Sequence, residues 1–133
     1  MADKVQFELV SPERLLVSQA VDMVVVPGSE GDFGVLPGHA PFISTVRPGV
    51  IEIFEGNTVT ERIFVAGGFA EVSNDRCTVL AEQASPLTDV NRPEIEAELR
   101  SLNEELVAAR DDAERSAIAT RIEVAEAKLA AAQ

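Results

Sequence analysis

Val50-Ile51-Glu52-Ile53-Phe54-Glu55-Gly56-Asn57-Thr58-Val59-Thr60-Glu61-Arg62-Ile63-Phe64-Val65 sets two runs rich in β-branched residues on either side of a Glu-Gly-Asn turn. Such residues fit a pleated, half-buried surface, and glycine and asparagine accept the left-handed backbone that tight turns need. The stretch reads as a β-hairpin. The same grammar extends in both directions. Toward the N-terminus, Val5, Phe7 and Leu9 alternate with Gln6 and Glu8 until Ser11-Pro12-Glu13 ends the run. Val21, Met23 and Val25 form a further alternating set, ended by Pro27-Gly28. Toward the C-terminus, Ala70 to Ser73 and Cys77 to Ala81 flank Asn74-Asp75 as another hairpin. Short strands separated by turn residues predict an antiparallel β-sandwich of about ten strands, filling residues 1–87.

Past Leu87 the period changes. From Pro93 to Gln133 there is no glycine and no further proline, while Ala, Glu, Leu and Arg dominate. Ile95, Leu99, Leu102 and Leu106 recur at helical spacing, and Ile118, Ile122, Ala125 and Leu129 repeat the pattern. Asp111-Asp112 reads as the turn and N-cap between two helices, and Pro93 suits a first helical turn. Residues 88–133 are predicted to form an antiparallel two-helix hairpin, which makes the whole chain α+β. Ala113, Ala117, Ala125 and Ala132 on the second stripe predict a thin seam, suited to a movable arm on a rigid head.

Composition narrows the function. The 133 residues are 46% hydrophobic, enough for a core, with six Phe and neither Trp nor Tyr. The formal net charge of −12 repels phosphate backbones and anionic lipid headgroups, which argues against nucleic-acid partners and direct lipid insertion. No apolar run is long enough to span a bilayer and no signal-peptide order opens the chain, so a soluble, untargeted protein is expected. Cys77 is the only cysteine, in keeping with a reducing compartment.

One stretch departs from strand grammar. Val26-Pro27-Gly28-Ser29-Glu30-Gly31-Asp32-Phe33-Gly34-Val35-Leu36-Pro37-Gly38-His39-Ala40-Pro41 specifies backbone geometry more than burial, and reads as a constrained loop presenting Glu30 and Asp32. A general acid/base pair would need a positioned nucleophile nearby, and none is evident, so partner contact is the stronger reading. A phosphate cradle fails on charge and lacks the Gly-Lys-Ser/Thr ending. His39 has no second histidine to share a metal, which favours a backbone-bonding role. Cys77 reads as a small core residue, so neither catalytic nor metal-ligating residues are assigned.

The loop from Pro27 to Pro41, the Arg47-Pro48-Gly49-Val50-Ile51 turn and the Val65-Ala66-Gly67-Gly68-Phe69-Ala70-Glu71-Val72 segment, in this order and before a helix pair, resemble the epsilon subunits of F-type ATP synthases. The likeness spans essentially the whole chain. It implies a non-catalytic rotor component at the central stalk, peripheral to the cytoplasmic face of the bacterial inner membrane or its organellar equivalent. One sandwich face would grip the gamma subunit. Ser29, Glu30, Gly31, Asp32 and His39 would stand at the end that meets the c-ring.

The resemblance also bears on the arm. Some family members bind ATP where the first helix begins, through Ile/Leu-Asp-x-x-Arg-Ala. The matching run here is Thr88-Asp89-Val90-Asn91-Arg92-Pro93, with Asp89 and Arg92 in place and Thr88 and Pro93 departing from the pattern. Weak ATP binding through Asp89 and Arg92 stands beside a plain capping role for Thr88, Asp89 and Asn91; no other cofactor is implied. In the family the arm can contact the alpha/beta catalytic head and block hydrolysis through basic residues. From Pro93 onward five basic residues face ten acidic ones, leaving −5, so strong latching is not expected, although Arg100, Arg110 and Arg121 could act if they share a face. The alternative from a different class is a freestanding β-sandwich ligand-binding module with a helical oligomerisation tail.

Overall fold

The structure, a computed structural model, describes residues 3–132. It divides after Leu87 into two compact units. The first contains ten strands: β1 (Val5–Val10), β2 (Leu15–Val21), β3 (Met23–Gly28), β4 (Gly31–Val35), β5 (Phe42–Thr45), β6 (Gly49–Glu55), β7 (Thr58–Ala66), β8 (Phe69–Val72), β9 (Arg76–Leu80) and β10 (Gln83–Pro86). They form two five-stranded sheets, one ordered β2-β1-β9-β8-β5 and the other β10-β7-β6-β3-β4. The sandwich is antiparallel except for β1 and β9, which run parallel, with Phe7 beside Cys77 and Leu9 beside Val79. Apolar residues from both sheets, among them Phe7, Leu9, Val24, Val26, Ile51, Ile53, Val65 and Val79, are fully buried in one core.

Strand alternation explains most of this core: on β1 Val5, Phe7 and Leu9 are buried and Gln6 and Glu8 are half-buried. The set Val21, Met23 and Val25 needs correction. Val21 is buried at the end of β2, whereas the buried residues of β3 are Val24, Val26, Pro27 and Gly28. Asp22 is where the chain crosses from one sheet to the other, and a crossing resets the parity of in and out. Its N–H donates to the Phe54 carbonyl at 3.2 Å. Its carboxylate accepts the Gly56 N–H at 2.5 Å and pairs with Lys4 at 2.8 Å. Lys4 first, and the Gly56 amide second, hold the Asp22 carboxyl below the ordinary aspartate range. The Glu55-Gly56-Asn57 turn is thus capped by a residue more than thirty positions earlier.

The glycine–proline loop also folds differently from a plain loop. Its first half is a β-hairpin, with Val24 opposite Val35, Val26 opposite Phe33 and Gly28 opposite Gly31. Only Ser29 and Glu30 lie between the strands.

The chain crosses back at Gly67-Gly68, between β7 and β8 of opposite sheets. Gly67 has φ 74° and Gly68 φ 93°. A Cβ on Gly68 would stand 1.8 Å from the Leu80 carbonyl oxygen, so both backbone angle and space require glycine.

A turn of 3-10 helix (Leu87–Asp89) spans the division, and the second unit then holds α1 (Arg92–Ala108) and α2 (Asp112–Ala131). Asn91 caps α1 by accepting the Glu94 N–H at 3.1 Å, and Asp111 caps α2 by accepting the Glu114 N–H at 2.8 Å. Ile95, Leu102, Ile118 and Ala125 are buried together, with Leu99, Leu106, Ile122 and Leu129 packed against them, so both stripes form one seam. Ala113 and Ala117 are exposed and off the seam, which corrects their placement on the second stripe. No helix among the described residues is long and apolar enough to cross a membrane.

Two outcomes follow from these positions. Gly68→Ala should lower stability by at least about 2 kcal/mol, from the positive φ and the carbonyl overlap. Gly34→Ala, whose Cβ would meet Met23 Sδ at an ordinary 3.6 Å, should change stability by less than about 1 kcal/mol. Urea unfolding of both variants checks this, and similar midpoints would contradict it. Cys77 is fully buried in β9 and burial pushes its thiol up to about 12. It should therefore react with a thiol reagent only after unfolding; labelling in native buffer at the rate of a free thiol would refute the assignment.

Candidate functional site: the acidic hairpin tip and the outer face of one sheet

The β3–β4 hairpin ends in an exposed turn carrying Ser29 and Glu30, with Asp32 exposed on the following strand. The turn is tight because glycines stand opposite each other at its base. A Cβ on Gly28 would lie 2.8 Å from the Gly31 carbonyl oxygen and 2.9 Å from the Phe33 ring. Gly31 itself adopts φ 133°, outside the usual range of other residues.

Although it belongs to one sheet, the tip is fastened to the other. The Ser29 N–H donates to the Thr45 carbonyl at 2.9 Å, and the hydroxyls of Ser29 and Thr45 hydrogen-bond at 2.6 Å. Gly28 and Val46 form an isolated antiparallel bridge. The Arg47 N–H donates to the Pro27 carbonyl at 2.9 Å. The Arg47 guanidinium donates to the Gly28 carbonyl at 2.6 Å and to Asp32 Oδ1 at 2.5 Å. Behind the tip, the Phe33 and Phe42 rings meet edge-on with centroids 5.1 Å apart.

His39 lies elsewhere, before the opposite end of β5 from Thr45. Its Nδ1 hydrogen-bonds the Ala40 carbonyl oxygen at 2.7 Å, and its ring centroid is 6.4 Å from that of Phe42. The neighbouring Gly38 N–H donates to the Asn74 carbonyl at 2.6 Å. Ser29, Glu30, Gly31 and Asp32 are brought together, whereas the contacts of His39 are with Ala40 and Phe42.

Sequence reading missed a second feature. On the outer face of the β2-β1-β9-β8-β5 sheet, cross-strand register aligns Thr45, Phe69, Leu80, Val10 and Leu15 in one row. Phe69 is 43% exposed, Leu80 40% and Leu15 55%. Ile43, in the adjacent row with Glu71, Thr78 and Glu8, is 67% exposed. A contiguous apolar row on an otherwise acidic chain marks a surface that something covers. Its signal in the sequence is Phe69 and Leu80, the wrong parity for a core already supplied by Ala70 and Val79.

On the arm, Asp89 ends the 3-10 turn and Arg92 opens α1, where its Nε lies 3.9 Å from Glu96 Oε2. Asn91 performs the helix capping that Thr88 and Asp89 were also suited to. Arg100 lies on α1, Arg110 in the interhelix turn and Arg121 on α2, 3.8 Å from Glu105 of α1. These three do not share one helix face. Arg115 pairs with Asp112 at 2.7 Å. Among the described residues no three of His, Cys, Asp and Glu converge as metal ligands.

The family described as "ATP synthase, Delta/Epsilon chain, beta-sandwich domain" matches residues 4–87. The ATP synthase epsilon chain of Rhodospirillum centenum is 58% identical over 97% of this chain and 92% of its own length. That of Rhodospirillum rubrum is 54% identical over 98% of each. Among solved structures, a chain of the Euglena gracilis mitochondrial ATP synthase superposes with a TM-score of 0.85 at 21% identity, over all of this chain and 84% of that one. A chain from the central stalk/c-ring structure of the Tetrahymena thermophila mitochondrial ATP synthase gives 0.73 at 14% identity, over 99% and 98%. The sandwich, the helix pair and these near-full-length identities together place the chain in the ATP synthase epsilon chain family.

Proposed function

We propose that this chain couples the gamma subunit to the c-ring as part of the rotor, at the cytoplasmic face of the bacterial inner membrane. One observation carries the reading. The Ser29–Thr45 hydrogen bonds join the acidic tip to the first member of the exposed apolar row. Tip and row therefore belong to one stiff body with two different surfaces. A torque coupling needs that property, because a hinge between two contacts would store rotation as bending instead of passing it on.

The two surfaces differ in chemistry, and so do the partners they suit. The row of Phe69, Leu80, Val10 and Leu15 offers area that gains free energy when removed from water, at roughly 25 cal/mol per Å². It is the face for gamma, a lasting contact within the stalk. The tip of Ser29, Glu30, Gly31 and Asp32 offers charge and backbone for the polar loops of the c-ring. An exposed charge pair there brings only about 0–1 kcal/mol, so shape and register contribute most of the fit.

The arm's regulatory contact is weak in this reading. Arg115 and Arg121 are already paired with acids of the arm itself, and the arm's excess of acidic residues weakens any contact made through basic side chains. Arg92 faces Glu96, which opposes a strong nucleotide contact at Asp89 and Arg92. Any contact with the alpha/beta head is transient.

Two measurements test the proposal. Phe69→Glu with Leu80→Glu should weaken binding to purified gamma by at least tenfold, about 1.4 kcal/mol, while the melting temperature stays near that of the parent. Binding within two-fold of the parent would move the gamma contact to another face. Removing the arm after Leu87 should leave ATP hydrolysis by the reconstituted complex within about two-fold, below about 0.5 kcal/mol. A tenfold rise would show a strongly inhibitory arm.

A further inference from the structure

We propose that Arg47 is the positioning residue of the acidic tip, and that it divides the work of the two tip carboxylates. Asp32 is committed to a pair within the chain, and Glu30 is the anion left for a cationic or amide group of the partner. The inference rests on the reading of the tip as the ring-facing surface and says which of its residues is read there.

The argument begins with the hairpin register. Pro27 stands opposite Asp32, and Gly28 opposite Gly31. Pro27 has no N–H to offer, and its carbonyl turns away from β4 toward Arg47. Arg47 supplies donors from outside the hairpin. One guanidinium nitrogen reaches the Gly28 carbonyl on β3 at 2.6 Å, and the other reaches Asp32 Oδ1 on β4 at 2.5 Å. Its backbone N–H takes the Pro27 carbonyl at 2.9 Å. A single residue thus holds both strands of the hairpin through three hydrogen bonds.

Arginine suits the task. Its planar, always-charged fork presents two donors at fixed spacing, so holding one acceptor orients the other. Arg47 is itself placed by the isolated Gly28–Val46 bridge one residue earlier and by Pro48 one residue later. The ion pair is exposed, at 42% for the Arg47 side chain and 60% for Asp32, and adds little to global stability. Its consequence is local: it sets the direction of the turn and neutralises one of the two charges. Among the described residues Glu30 makes no ion pair, and it sits exposed in the turn itself.

The test uses two readouts on the same variants. Amide hydrogen exchange on the free chain follows the Ser29 N–H, which is hydrogen-bonded to Thr45. Salt-dependent binding of the chain–gamma complex to purified c-ring follows the partner. Arg47→Gln and Asp32→Asn should each speed Ser29 exchange about tenfold, with Arg47→Lys intermediate, and Glu30→Gln should leave it unchanged. Glu30→Gln should flatten the salt dependence of ring binding. Asp32→Asn should weaken binding without flattening it. Unchanged Ser29 exchange in both Arg47→Gln and Asp32→Asn overturns the clasp. Equal flattening by Asp32→Asn and Glu30→Gln overturns the division of roles. If exchange responds as stated but no variant alters ring binding, the clasp stands and the ring-facing reading of the tip falls.

Discussion

In most of a β-sandwich the two sheets touch only through side chains, and apolar contact fixes their relative position by shape with little directional force. Backbone hydrogen bonds from one sheet to the other are directional, and this chain concentrates them at one end. Gly28 bridges Val46, Ser29 donates to Thr45, and Arg47 donates to Pro27. The Val46 N–H also donates to the Gly68 carbonyl at 3.1 Å, which brings the crossing between β7 and β8 into the same stitch. Each such bond contributes only about 1 kcal/mol net. Their combined effect is geometric, because three segments, around residues 27–29, 45–47 and 68, must keep one arrangement or lose several bonds together.

That stitch explains the glycines better than any one turn type does. Gly28 must be bare because the chain folds back on it, and Gly49 because a Cβ there would meet the Pro27 Cβ at 2.8 Å. Gly68 must be bare because Leu80 lies against it. Gly68 is crowded by backbone distant in sequence, Gly49 by the Pro27 ring, and Gly28 by the return strand of its own hairpin. The three segments that carry the family resemblance, around residues 27–41, 47–51 and 65–72, converge there for the same reason.

What could be read from sequence follows from whether its cause is local. The hairpin through Gly56, the β8–β9 hairpin, the helix seam from Ile95 to Leu129 and the Asp111 cap each depend on residues a few positions apart, and each was legible. The burial of Val24 in place of Met23 was not, because the crossing at Asp22 depends on Phe54, Gly56 and Lys4. Nor was the parallel pairing of β1 with β9, whose partners are about seventy residues apart. The role of Arg47 was hidden for the same reason: beside Pro48 and Gly49 it looks like part of a turn, and its acceptors lie fifteen and nineteen positions away. The outer row of Phe69, Leu80 and Leu15 is a different failure. Apolar residues predict burial, and sequence alone does not say whether the chain or a partner provides it.

Head and arm differ in the same physical terms. Among the described residues the sandwich buries seventeen apolar residues in one cluster, drawn from strands distant in sequence, and the arm buries four. Contacts between distant segments make the head cooperative, since loosening one strand costs its neighbours their packing and their hydrogen bonds. The arm's helices are held by capping residues, local pairs such as Arg115 with Asp112, and one narrow seam. An α-helix satisfies its backbone within itself, so parting the two helices exposes that seam without orphaning backbone groups. Conformational freedom in such a chain belongs in the arm, where opening costs little apolar area. The stitched end of the sandwich can transmit force because no comparably cheap opening exists there.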